Sequence, residues 1–322
     1  MKTYMTNYLK YRPAWMQLLI FGSLIMGFYA VALFIVFPLT AKIYGLPVMD
    51  FLTLDTNTPQ GVSALKVRQV ISTISLFLLP SALFAYLSDS NPFKYIGFKK
   101  PVPPSFFLVA ILVILVAFPM VAWLIEVNQH MHLPGSMQQV EKLMRELEAK
   151  ENEMVKDLLA MKSITDLMII LTIVAVLPAI AEELFFRGVL QRLFIQLFKR
   201  PWTGIIVVAI IFSAMHGQFL GFFPRFVLGV VLGALYWYSG SLWPGIVAHF
   251  IYNASQVILL YKSPQLLEKD PDFSAPLIVF STVAVIALIW RMHRISQTTY
   301  AEVYDTDDFH IGPRDEYMQN KL

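Results

Sequence analysis

Cysteine is absent from all 322 residues. That excludes disulfides, thiol catalysis and thiolate-ligated metal, and it leaves the compartment open. Charge is the second scarcity. Only 15% of the residues are Asp, Glu, Lys or Arg, where a soluble domain has ~25%. The net charge of +3 is small and no basic cluster looks like a binding patch, so neither nucleic acid nor nucleotide is an expected partner. No internal repeat is evident.

Apolar residues fill the chain instead. They make up 57% of it, with a mean hydropathy of +0.60. The excess is gathered into runs of about 17–23 residues, the length a helix needs to cross a bilayer. The expected fold is therefore an all-α polytopic membrane bundle of about eight transmembrane helices. Spans are expected near 14–37, 69–87, 105–125, 166–190, 203–220, 225–239, 242–261 and 274–291, the fourth continuing as an amphipathic helix to about Phe198. The first run, Ala14 to Phe37, outruns a signal-peptide core and lacks an A-x-A-like site, so it reads as a span.

Lys and Arg near span ends set the orientation. Lys2, Lys10 and Arg12, then Lys94, Lys99 and Lys100, then Arg192, Lys199 and Arg200, then Arg291 and Arg294 fall on one side of an eight-span chain. Both termini are expected in the cytoplasm, and the compartment expected is a bacterial inner membrane. The opposite side receives segment 127–163, whose basic residues are balanced by acids. A surface helix near 138–162 is expected there, with Leu143, Leu147, Met154, Leu158 and Met161 as an apolar stripe. It would pack on the bundle or lie at the bilayer interface; a substrate gate is the sharper reading. The tail from Ser296 is polar and acidic and reads as mobile. The chain thus divides into 1–164, a core at 165–262, a last span at 263–292 and a tail at 293–322.

Ionisable side chains inside spans are rare and mark cavities or pathways. Here they form three groups: Glu182, Glu183 and Arg187 in EELFFR, Phe212 and His216 in FSAMH, and His249 and Asn253 in HFIYN. Residues four apart share a helix face, so Glu183 and Arg187 read as an ion pair and His249 and Asn253 as neighbours. Glu182 points ~100° away from Glu183 and is the freer carboxylate. Pro178 should kink the helix one turn earlier and admit water. By helix rise, Glu182 lies about 27 Å from Arg200 and His216 about 21 Å from Trp202. The site then sits in the membrane nearer the cytoplasmic face, provided the 190–202 turn projects into water.

A carboxylate beside an imidazole can hold a water and take its proton. Two further donors can stabilise the oxyanion formed when that water attacks a carbonyl. The same Glu, His, His and Asn can instead ligate a metal such as zinc. Either arrangement suits amide hydrolysis. Phe212 reads as packing, and Gly229 and Gly233 as a close helix contact. Tyr236, Trp237, Tyr238 and Trp243 read as interfacial anchors. His130 and His132 form an exposed loop pair of the kind that binds metal weakly at most.

The order EExxxR, FxxxH, HxxxN on consecutive apolar helices resembles the CPBP intramembrane proteases, which include the CAAX prenyl endopeptidases and the bacteriocin-processing and self-immunity proteins. The resemblance covers about residues 165–262. It implies Glu182 and His216 as the water-activating pair, His249 with Asn253 on the oxyanion side, and Glu183, Arg187 and Phe212 in support. It leaves open a metal held by Glu182, His216 and His249 against a metal-free glutamate mechanism. The implied partners are a membrane peptide or protein substrate and the lipid bilayer. Two other classes stay open: a non-catalytic peptide-binding or immunity protein, and a proton-coupled transporter, since buried Glu and His also suit proton relays.

Overall fold

The computed structural model describes residues 9–10, 12–53, 58–98, 102–264 and 273–296. Lys2, Lys99, Lys100 and the tail beyond Ser296 lie outside the described residues. Among those described, the chain is all-helical with no strand. In order come α1 (Ala14–Ile43), α2 (Val48–Thr53), α3 (Pro59–Ser88), α4 (Pro92–Tyr95), α5 (Pro104–Gln129), α6 (Gln138–Leu158), α7 (Ile164–Phe198), α8 (Pro201–Ala214), α9 (Phe222–Ser239), α10 (Leu242–Lys262) and α11 (Ala275–Ile295). Among the described helices six are long and apolar enough to cross a membrane: α1, α3, α5, α7, α9 and α11. The expected fifth and seventh spans do not qualify. α8 has only 14 residues, and polar His249, Asn253, Ser255 and Gln256 lower the apolarity of α10.

α8 stops short of the expected span because Ser213 donates its hydroxyl to the carbonyl of Phe222 and Gly217 adopts a φ of +70°, turning the chain back. His216 consequently lies in the turn after the helix, not within it. α7 does run on to Phe198, and its turn to α8 is tight, with Lys199 left-handed at φ 54°. At that turn Lys199 and Arg200 are exposed, as expected, but Arg192 is not. Arg192 is buried, stacked over the Tyr95 ring and donating to its carbonyl at 3.1 Å. Tyr236, Trp237 and Tyr238 are also interior rather than interfacial, because α9 is central: it packs on α5, α7, α8, α10 and α11. Trp243 alone of those four aromatics is exposed.

Proline shapes the long helices in a repeated way. The helical turn widens to i→i+5 at 32–36, 74–78 and 171–176, and Pro38, Pro80 and Pro178 each follow by two residues. Proline has no N–H and its ring crowds the carbonyl four residues back; widening that turn relieves the crowding without breaking the helix. In α5, Pro119 is served differently. The Ser281 hydroxyl of α11 donates to the Val116 carbonyl and accepts from the Met120 N–H.

Close crossings depend on small residues. A Cβ on Gly229 would sit 3.1 Å from Ala209 of α8, and one on Gly233 would sit 2.9 Å from Ile205. A chain of rings (Phe21, Phe84, Phe77, Phe185, Phe186, Phe212) joins α1 and α3 to α7 and α8, with neighbouring centroids 4.8–5.2 Å apart. Two of these are the phenylalanines of ELFFRG.

Outside the bundle, α6 is anchored at its start by Glu141. That carboxylate accepts from the Leu133 N–H at 2.8 Å, meets His132 Nδ1 at 2.8 Å and accepts from Arg145 Nε at 2.9 Å. The Leu133 N–H first, then His132 and Arg145, hold it far below the usual carboxylate range, at about 2. A depressed folded value means the anchor is intact above the ordinary 4.5 and is lost as pH falls toward about 2. Limited proteolysis of segment 130–142 should therefore be independent of pH above that window and rise within it. Glu141→Ala should show the low-pH cleavage pattern at neutral pH.

Candidate active site

The site is built where α7 widens again, at Leu184–Gln191. No proline follows this stretch as it follows the other three. Its side chains reach a second helix instead. Glu183 and Arg187 are fully buried and paired, Oε1 to Nη1 at 2.8 Å. Arg187 Nη2 donates to the Gly229 carbonyl at 3.1 Å, and one turn on Gln191 Nε2 donates to the Gly233 carbonyl at 3.0 Å. The two glycines of α9 thus do more than permit contact: without side chains their carbonyls are open to these donors. Arg187 also lies 4.9 Å over the Phe212 ring and 5.7 Å over that of Phe186.

Glu183 has a second partner across the bundle. Its Oε1 lies 3.0 Å from His249 Nδ1 on α10. A carboxylate only accepts, so Nδ1 carries the hydrogen and Nε2 is turned to the other side. There it lies 4.0 Å from Glu182 Oε2, an oxygen that is buried and has no hydrogen-bond partner among the described residues. The approach of α10 depends on Gly245, one turn before His249. A Cβ there would lie 2.9 Å from Glu183 Oε2.

His216 enters from the turn after α8. Its Nδ1 meets the Phe212 carbonyl at 2.7 Å, which leaves Nε2 available. Phe212 lies between the two imidazoles, 4.9 Å from His216 and 6.2 Å from His249 between ring centroids. The turn itself is clamped. Asn128 of α5 donates to the Phe219 carbonyl and accepts from the Phe223 N–H, both at 2.9 Å. Arg225 hydrogen-bonds Gln218, and its charge acts on Glu182, Glu148 and Glu151.

Asn253 sits one turn beyond His249. Its Nδ2 donates to the Val174 carbonyl at 3.0 Å. Val174 is four residues before Pro178, so this is the carbonyl a proline cannot serve. Where the sequence suggested that Pro178 kinks the helix and lets water in, a widened turn and Asn253 accommodate it.

The structure thus gathers Glu182, Glu183, Arg187, Phe212, His216 and His249 around one interior region, with Asn253 tied to its edge. For metal the donors are chemically suitable, but among the described residues no three of His, Asp or Glu converge as a ligand group. His249 Nδ1 and His216 Nδ1 are both committed, which leaves their Nε2 atoms as the imidazole donors. These residues as placed do not fit a three-ligand centre. His132 is likewise committed, to Glu141. The Glu183–His249 link, Gly245 and Gln191 escaped the sequence reading. The signals were present as four-residue spacings, Gly245 to His249 and Arg187 to Gln191.

Residues 164–255 match a family model described as type II CAAX prenyl endopeptidase Rce1-like. The match covers under a third of the 322 residues. It supports placing this segment with the CPBP family intramembrane proteases, in agreement with the three motifs. An uncharacterized protein of Bacillus subtilis (strain 168), YpbD, is 34% identical over 82 residues, which is 24% of this chain and 39% of that relative. The chain therefore aligns with well under half of that protein. No solved structure matches.

Arg187→Ala leaves the Glu183 carboxylate buried without its cation and should cost ~3–5 kcal/mol, read as thermal unfolding in detergent and as folded yield. Gly245→Ala pushes on Glu183 without removing a charge and should cost ~1–3 kcal/mol. It should also displace the His249 ring resonances, which a remote packing defect would leave in place.

Proposed function

We propose that the chain is an intramembrane endopeptidase that hydrolyses a peptide bond of a membrane-associated peptide or protein. One observation carries this reading. Glu182 Oε2 is buried, without a hydrogen-bond partner among the described residues and 4.0 Å from His249 Nε2, while the neighbouring carboxylate holds both Arg187 and His249 through its Oε1. Two adjacent glutamates thus have different tasks. The segment that holds them is the one that resembles CAAX-type proteases.

In the proposed reaction Glu182, assisted by His216 Nε2, takes a proton from a water as its oxygen bonds the scissile carbonyl carbon. The carbonyl oxygen becomes an oxyanion, received by His249 Nε2–H and by the second N–H of Asn253. For Nε2 to donate, both ring nitrogens must carry hydrogen. The C–N bond then breaks, and the proton held by Glu182 passes to the leaving amine. Glu183 and Arg187 act through His249 by fixing its ring. No step is assigned to a metal, because the donors do not converge.

The family's eukaryotic precedent is the CAAX substrate. No residue of this site argues for a prenyl group, and leader peptides or small membrane peptides of a bacterial host suit it as well. The reading includes an eight-helix topology in which α8 and α10 join the six long apolar helices, a core at 165–262, both termini cytoplasmic, and residence in a bacterial inner membrane. The competing reading is a peptide-docking or immunity protein that keeps the constellation without hydrolysis.

Glu182→Gln keeps size and removes the base. It should lower cleavage by ~10²–10⁴-fold while leaving the melting temperature nearly unchanged. Terminal-peptide mass spectrometry on membranes with matched levels of wild type and Glu182→Gln should show new termini only with the wild type. Identical termini, with a mutant that still complements a deletion, would establish the docking reading instead.

A further inference from the structure

The helix α6 has three distinct sides, and only two are explained by contacts among the described residues. One side, bearing Lys142, Glu146, Lys150 and Glu153, is exposed and charged, as water requires. A second side is polar and faces the protein. Glu148 is buried, and its Oε2 accepts from the Leu220 N–H at 3.0 Å. Asn152, one turn on, meets Gln218. Glu151 lies beneath Gly217, where a Cβ would meet its oxygens at 3.7 and 3.9 Å. These residues grip the turn that carries His216. The third side is apolar. Its C-terminal end, Leu158, is buried with Phe51, Ala64 and Leu167, but Val140, Leu143 and Leu147, with Met137 just before, stand exposed, Leu143 at 56% and Leu147 at 54%.

We infer that α6 is seated in the bilayer interface through Val140, Leu143 and Leu147, and that from this seat its polar flank, through Glu148, positions the turn bearing His216. The occupant of the apolar stripe is lipid. Exposed apolar residues also stand at the near ends of the membrane-spanning helices before and after it in the chain: Val127 at the end of α5, with Met131 just after it, and Ile164 and Met168 at the start of α7. A helix with one charged side in water and one apolar side at the headgroup boundary lies in the membrane plane, its apolar face sunk ~5–10 Å. Helical spacing joins Leu143, Leu147, Met154, Leu158 and Met161 in one stripe. The structure divides it: the last turn packs on the bundle, and the first three turns are left for the membrane. The hydrogen bond from the Leu220 N–H to Glu148 joins this seat to the turn that bears His216. The lipid seat and the hold on Leu220 stand on geometry alone; their bearing on catalysis rests on the proposed protease reading.

The absence of cysteine makes the test direct. Full-length single-cysteine variants Leu143→Cys, Leu147→Cys, Glu146→Cys and Glu153→Cys are labelled with a fluorophore and reconstituted in phosphatidylcholine vesicles. Nitroxide-bearing lipid should quench the labels at 143 and 147 severalfold more than those at 146 and 153, and aqueous iodide should do the reverse. Equal iodide quenching at all four positions would overturn the lipid seat. So would labels at 143 and 147 that escape both quenchers as the protein-to-lipid ratio rises, since the stripe would then cover a second copy. For the positioning role, amide exchange of segment 217–223 should quicken at least tenfold in Glu148→Ala and return toward wild type in Glu148→Gln, whose carbonyl still accepts from Leu220. Unchanged exchange in Glu148→Ala would overturn it. If wild type cleaves nothing, the protease reading fails, and quenching and exchange still decide these two points. If it cleaves, Glu148→Ala should lower kcat with KM little changed, and Glu148→Gln should recover it.

Discussion

Burying Glu183 and Arg187 together carries a desolvation penalty that their own attraction need not repay. The surrounding structure makes up the difference with hydrogen bonds and ring faces. Arg187 gains the Gly229 carbonyl and the Phe212 and Phe186 rings, and Glu183 gains His249. The pair therefore ties together four helices: α7 that carries it, α8 through Phe212, α9 through Gly229 and α10 through His249. Each of those helices contributes a small or aromatic residue where the pair needs one. Removing either charge would disturb the placement of His249 as well as the core, so fold and site are not separable here.

The same arrangement explains why one glutamate is left over. Glu183 spends Oε1 on two donors, and its Oε2, buried without a hydrogen-bond partner among the described residues, lies where a Cβ on Gly245 would meet it. Glu182, its neighbour in sequence, faces the opposite side of the His249 ring with an oxygen that no donor satisfies. A buried carboxylate oxygen without a donor is costly. It persists only where the surrounding structure holds it, and a water or substrate group is the natural partner for it.

Much of this was legible from spacing. Hydropathy located the helices, including the run of α7 to Phe198, and the four-residue intervals within EELFFR and HFIYN identified the ion pair and the shared face of His249 and Asn253. What spacing could not show was anything decided between helices. The Glu183–His249 contact exists because Gly245 lets α10 approach, and a glycine is silent about its neighbour until the neighbour is known. Tyr236 to Tyr238 looked interfacial because they end a span, but α9 lies at the centre of the bundle. Arg192 looked water-exposed, yet Tyr95 supplies both a carbonyl and a ring to bury it. The early end of α8 came from one serine hydroxyl and one left-handed glycine, signals far weaker than the apolar run that surrounds them.

Asn253 shows how one residue can answer to both fold and chemistry. Pro178, one turn before Glu182, cannot donate to the Val174 carbonyl, and one Asn253 N–H does so instead. An amide nitrogen has two hydrogens, so the second remains for a reacting group. Seen this way the proline is not a source of disorder beside the site. It creates an acceptor on α7 that draws α10 into register, with Asn253 at the acceptor and His249 one turn back against Glu183. Helix α7 then needs no proline in its next widened turn, because Arg187 and Gln191 hold that stretch to the glycine carbonyls of α9. Two helices are thus fixed against α7 by donors aimed at main-chain oxygens, and main-chain oxygens move only when a helix moves. That is the rigidity a buried, half-satisfied carboxylate requires.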